Sequence, residues 1–141
     1  RMIVVDASLA AKWIIVEPNS AAALAFLEEC TEPLVAPDLI AIEVASAIVR
    51  RANMDKALGE TMRDANARWA SLLDEQIITL RRPTSGDILE AASLAINIGH
   101  PLKDCIYLML AMELDCELVT CDARFAEKAK GVWARVRVWG G

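Results

Sequence analysis

Short, wholly apolar runs alternate along the chain with longer stretches in which apolar residues recur every three or four positions. Met2–Val5 is such a run, ended by Asp6, and reads as a buried strand. Ser8–Val16 and Ser20–Cys30 read as helices separated by Glu17-Pro18-Asn19. Leu34–Ala36 reads as a short strand. Pro37-Asp38 suits the first turn of a helix running to about Asn53. Asp55 to Glu75 has the pattern of one long amphipathic helix, and Ile77–Leu80 that of a strand. Thr84 opens a helix closed by Gly99, a residue suited to the position after a helix end. Asp104–Leu114 reads as helix, Glu117–Thr120 as strand, Asp122–Lys130 as helix, and Val132–Val138 contains a last strand. Strands buried on both faces and alternating with helices predict a three-layer α/β/α sandwich around four or five mainly parallel strands.

The chain has 141 residues, which suits a single domain over 1–141. Its 55% apolar and 25% charged content excludes disorder and low-complexity classes. No apolar run approaches the ~20 residues of a bilayer span. Asp6 interrupts the first apolar stretch too early for a secretory leader. The formal net charge of −5 gives no overall attraction for polyanions. The charge is uneven, however: Arg124, Lys128, Lys130, Arg135 and Arg137 near the C-terminus face a single acid, Glu127. The four cysteines form no CxxC pair and have no histidine partners at zinc spacing. Free thiols in a cytoplasmic protein are the expectation.

In open α/β sheets, ligands bind beyond the carboxyl ends of the strands. Asp6 directly follows the first strand, and Asp122 follows Leu118-Val119-Thr120 by one residue. Either could be a helix cap. Glu43 lies within a helix, with Leu39, Ile40, Ser46 and Ala47 as face neighbours. An acid on such a face needs compensation, from an ion pair with Arg50 or Arg51 or from a metal ion. Asp104 stands at the start of a helix that is apolar up to Glu113, and an N-cap role would explain it alone. Together, four acids from four segments map to one end of one sheet. Clustered carboxylates repel, and an all-oxygen acidic set suits Mg²⁺ or Mn²⁺ rather than zinc. Acidic sites holding such ions carry out phosphoryl chemistry.

The segments I-V-V-D-A-S, P-D-L-I-A-I-E-V-A-S-A-I, L-K-D-C-I-Y-L-M-L-A and L-V-T-C-D-A-R-F resemble, in order and spacing, the PIN-domain ribonucleases. The likeness is greatest to VapC-type toxins of bacterial toxin–antitoxin pairs, and it extends over essentially the whole chain. It implies a PIN-like fold and Mg²⁺- or Mn²⁺-dependent endoribonuclease activity on single-stranded or looped RNA. It places Asp6, Glu43, Asp104 and Asp122 on the family's acidic quartet. Asp6 and Asp104 would be the principal metal ligands. Glu43 would complete the shell or orient a water, and Asp122 would act in an outer or second-metal role. Ser8 and Thr120 fall where the family places small supporting hydroxyls, although the position of Ser8 is often Asn. Lys12, one turn beyond Ser8, either reaches a substrate phosphate or is a snorkelling surface lysine. The resemblance further implies a small cognate antitoxin and a homodimer or larger assembly.

Residues 50–73 combine Arg50, Arg51, Lys56, Arg63 and Arg68 with Met54, Met62, Trp69, Leu72 and Leu73. That arm could bind a partner helix, another subunit or RNA, or simply pack on the sheet. His100 reads as a surface or structural histidine in the loop after Gly99. Trp13, Trp69, Trp133 and Trp139 read as core or interface residues. Two other functions compete. A phosphoaspartate domain also places an acid after its first strand, but Asp6-Ala7-Ser8 lacks the second acid that a phosphatase of that type needs. A non-catalytic binding module on the same fold would have no reason to gather four acids.

Overall fold

The computed structural model describes residues 1–140. Five strands form one sheet: β1 (Ile3–Val5), β2 (Leu34–Pro37), β3 (Ile78–Arg81), β4 (Glu117–Thr120) and β5 (Val136–Val138). All pair in parallel, in the order β3-β2-β1-β4-β5. Seven α-helices connect them: α1 (Ala7–Ile14), α2 (Ser20–Glu29), α3 (Leu39–Met54), α4 (Gly59–Asp74), α5 (Ser85–Ile98), α6 (Leu102–Glu113) and α7 (Ala123–Ala129). Among the described residues, no helix is long and apolar enough to cross a membrane.

The order of strands places the functional edge. From β1 the chain steps to β2 and then β3 in one direction, and from β3 it returns past β1 to β4 and β5 in the other. Parallel crossovers are right-handed, so the two directions put their helices on opposite faces. Helices α1–α4 therefore cover one face and α5–α7 the other. The direction reverses between β1 and β4, and a crevice opens there at the strands' carboxyl ends. Asp6 follows β1 directly, and the pairing of Val5 with Val119 brings Thr120 beside it.

Burial on both faces explains why the strands are apolar at successive positions. Val4, Val5, Leu118 and Val119 are fully buried, as is Ala36 at the heart of β2. On α3, Ile40, Val44 and Ile48 repeat every four residues and form its buried stripe. Helix α6 buries six of the seven positions 105–111, all but Ile106, including Tyr107 and Leu108. All four tryptophans direct their indole N–H to a backbone carbonyl, on Ala23, Ala41, Cys116 and Ala22 respectively. They serve packing, as their lack of alternation with basic residues suggests. All four cysteines are free thiols.

Pro37, expected in the first turn of a helix, instead ends β2, and Asp38 takes the cap position of α3. Two further boundaries differ more from the sequence reading. The segment expected as one helix from Asp55 to Glu75 is a 3₁₀ turn at Lys56–Leu58 followed by α4. Asp55 takes an extended backbone, and its side chain accepts from the Ala57 N–H, which ends α3 and starts the turn afresh. Helix α6 begins at Leu102, with Pro101 in the cap position, so Asp104 is its third residue and not its cap. Proline sets an extended backbone just ahead of the first turn, and the carboxylate of Asp104 is left free for another partner.

Candidate active site

Asp6 is the N-cap of α1, and its Oδ1 accepts from the Leu9 N–H at 3.1 Å. The cap role accounts for only part of its surroundings. Ser8 Oγ donates to Oδ1 at 2.7 Å, and Thr120 Oγ1 donates to Oδ2 at 2.5 Å. Each hydroxyl has one proton and spends it on Asp6, so the 3.1 Å approach between Ser8 and Thr120 is a contact of two acceptors. Their lone pairs are used as well. Ser8 Oγ accepts from the Cys121 N–H, and Thr120 Oγ1 accepts from the Asp122 N–H. The two residues thus bind the turn after β4 to the start of α1 with Asp6 held between them.

The Asp6 residue is 4% exposed. Burial raises its carboxyl from 3.8 to about 6, against the lowering influence of Thr120, Ser8 and the Leu9 N–H, and the charge of Asp104 adds to the rise. Asp104 is therefore near enough to repel it. Asp104 Oδ2 lies 2.6 Å from His100 Nε2. Tyr107, three residues on from Asp104, donates its hydroxyl to Glu43 Oε1 at 2.6 Å. The second oxygen of Glu43 meets Lys103 Nζ at 3.2 Å. Arg50 and Arg51 do not compensate Glu43; Arg51 pairs with Glu17. The Tyr107 hydroxyl is pushed strongly upward by burial, by its bond to Glu43, and by the charges of Glu43, Asp6 and Asp104. Three carboxylates, from the turn after β1, from α3 and from α6, thus act on one buried phenol, and Glu43 is the one bonded to it.

Asp122 occupies the same sheet edge, but its carboxylate caps α7 by accepting from the Phe125 N–H at 3.0 Å. Lys12 Nζ lies 3.7 Å from Glu17 Oε1. The Cys121 thiol is pushed up to about 11 by burial and by Asp6, with Lys12 acting in the opposite sense, so Lys12 borders the Asp6 end of the crevice. The structure therefore joins Asp6, Ser8 and Thr120 directly. It brings Asp104 within electrostatic reach of Asp6, leaves Glu43 joined to Tyr107 and Lys103, and gives Asp122 and Lys12 local partners.

The donor chemistry suits a hard cation. Asp6, Asp104 and Glu43 offer only carboxylate oxygens, and the charge of Asp104 adds to the rise that burial causes at Asp6. Among the described residues, no three His, Cys, Asp or Glu side chains converge closely enough to enclose an ion. Each carboxylate has a protein donor instead, so coordination would exchange at least one of those bonds.

Three contributors were not singled out in the sequence as part of the site: His100, Lys103 and Tyr107. The signal for one of them is helical spacing. Tyr107 stands three after Asp104 on α6, which places the two on one face, whereas His100 precedes the helix and its approach to Asp104 is set by the turn through Pro101. Lys103 faces Glu43 across two helices, which spacing within α6 alone does not reveal.

Comparison with known proteins gives two results. The PIN domain family matches residues 3–131. Among solved structures, the chain is similar to Mycobacterium tuberculosis VapC20, described as a sarcin-ricin loop cleaving toxin, at 12% sequence identity. The TM-score is 0.75, over 89% of this chain and 93% of that one, which shows the shared fold. No curated protein matches the chain in sequence.

Proposed function

The chain belongs to the PIN domain family, and from that premise we propose that it is a divalent-cation-dependent endoribonuclease acting as the toxin of a toxin–antitoxin pair. The observation that carries the reading is the buried Asp6 at the carboxyl end of the central strand, its carboxyl raised by burial and by Asp104. A purely structural cap has no need of a second carboxylate beside it.

Asp6, Asp104 and Glu43 would hold Mg²⁺ or Mn²⁺, with Asp122 in an outer position. Such an ion, when bound, polarises a phosphate and makes water a better nucleophile. The chain supplies the rest. Ser8 and Thr120 fix the rotation of Asp6 from both sides. Tyr107 and Lys103 anchor Glu43, which orients the attacking water. Lys12, at the Asp6 end of the crevice, offers its ammonium to a substrate phosphate by leaving Glu17. The substrate class is single-stranded or looped RNA, and VapC20, described as a sarcin-ricin loop cleaving toxin, has a similar fold. The natural partner is a small antitoxin. A homodimer is part of the reading, and the exposed Ile42, Val49 and Met54 on α3 give it an apolar face.

A second reading, a binding module without catalysis, draws on one observation: each carboxylate of the cluster already has at least one protein donor. One experiment separates the two. Purified protein is incubated with a hairpin RNA in Mg²⁺ or Mn²⁺, with and without EDTA, beside Asp6→Asn and Asp104→Asn. The nuclease reading expects cleavage that EDTA abolishes and that both variants reduce to background. Cleavage unchanged in both variants, or intact RNA with retained binding, rejects it.

A further inference from the structure

We infer that His100 is a positioning residue that holds the carboxylate of Asp104 in its working orientation. The inference rests on the reading of Asp104 as a cation-holding residue. The His100 side chain is 8% exposed, against 23% for Asp104. A carboxylate can only accept, so His100 Nε2 donates its proton to Oδ2 across the 2.6 Å contact. Oδ1 carries no protein hydrogen bond among the described residues. One oxygen is thus clamped and the other is left for a ligand, the arrangement by which an outer residue sets the aim of an inner one.

The ring is itself locked from several directions. It stacks on Phe125, with centroids 4.9 Å apart and planes 26° from parallel. Its backbone N–H closes onto the Ala95 carbonyl, which completes the end of α5 around a left-handed Gly99. Lys128 of α7 donates to the Gly99 carbonyl at 2.7 Å. Pro101 then fixes the exit into α6. Helices α5, α6 and α7 meet at this corner, and among the described residues the only polar contact of the ring is the one to Asp104. A histidine serving packing alone would not need its Nε2 aimed at a carboxylate.

The test separates donor from packing. His100→Phe keeps a ring against Phe125 and removes the donor. His100→Gln restores a donor at similar reach. Mn²⁺ affinity is read from the spectroscopic signal of free Mn²⁺ on titration, alongside unfolding without metal and hairpin RNA cleavage. His100→Phe is expected to weaken Mn²⁺ binding by about 10- to 100-fold, the usual effect of losing an outer partner, and His100→Gln to recover most of it. Should His100→Phe unfold, His100→Asn, whose amide is too short to reach Oδ2, carries the same expectation. Wild-type Mn²⁺ affinity in His100→Phe, with binding lost in Asp104→Asn, overturns the inference and leaves the nuclease reading intact. A wild-type protein that neither binds Mn²⁺ nor cleaves RNA overturns both.

Discussion

Asp6 is where local structure and chemistry make opposing demands. As a cap it favours the charged form, because Leu9, Ser8 and Thr120 all donate to it. As a buried group beside Asp104 it favours the neutral form, and that influence prevails, raising it from 3.8 to about 6. A carboxyl raised on folding contributes stability that is fully present below pH 3.8 and is lost as pH rises through about 6. In EDTA at pH 8 the folded state therefore carries a strained charge worth on the order of 1–3 kcal/mol. Asp6→Asn should be more stable than wild type by that order at pH 8, and the difference should shrink between pH 7 and pH 5. Urea unfolding across that range measures it, and a difference that does not vary with pH would refute the assignment. The sequence makes Asp6 visible because it ends an apolar run. It conceals the partners of Glu43: the arginines seven and eight residues on look available, yet Tyr107 and Lys103 reach it from another helix.

At the level of elements, the α5–α6 corner decides how Asp104 is presented. Thr84 and Asp87 close a capping box at the start of α5, and Gly99 ends it at φ 65°. Both signals are legible, since Thr-x-x-Asp and a glycine after an apolar stretch are local chemistry. A Cβ at Gly99 would meet nothing within 4 Å, so Gly99→Ala is opposed by backbone conformation alone. It should cost about 1 kcal/mol in urea unfolding, and Gly99→Asn less, because asparagine tolerates the left-handed region. Equal stability of Gly99→Ala and wild type would show that the corner relaxes. The start of α6 was not legible for a related reason. Asp104 looks like a cap because acids favour that position, but Pro101 sets the boundary earlier and frees the carboxylate for His100. The break at Asp55 is hidden likewise, because amphipathic spacing continues across a 3₁₀ turn that only the backbone reveals.

At the scale of the molecule, the reversal of strand direction at β1 is what assembles the site. Apolar strands between helices suffice to predict a parallel sheet, and a parallel sheet suffices to put Asp6, Asp104 and Asp122 along one edge. Pattern alone cannot say which of them face one another, because that depends on how helices cross the sheet and on which carboxylates the backbone itself consumes. Asp122 is the instructive case, with one oxygen committed to the Phe125 N–H. If the edge holds a cation through Asp6 and Asp104, millimolar Mn²⁺ should raise the melting temperature. At a hundredfold excess over Kd, the gain is about 2.7 kcal/mol. Asp6→Asn and Asp104→Asn should abolish that shift. Asp122→Asn preserves a capping side chain and should retain most of it, since its carboxylate is engaged by α7. Scanning calorimetry with and without Mn²⁺ distinguishes the three. Equal loss of the shift in all three variants would mean that Asp122 leaves its cap to join the ion. A shift untouched by any of them would place the ion elsewhere and separate this sheet edge from metal chemistry.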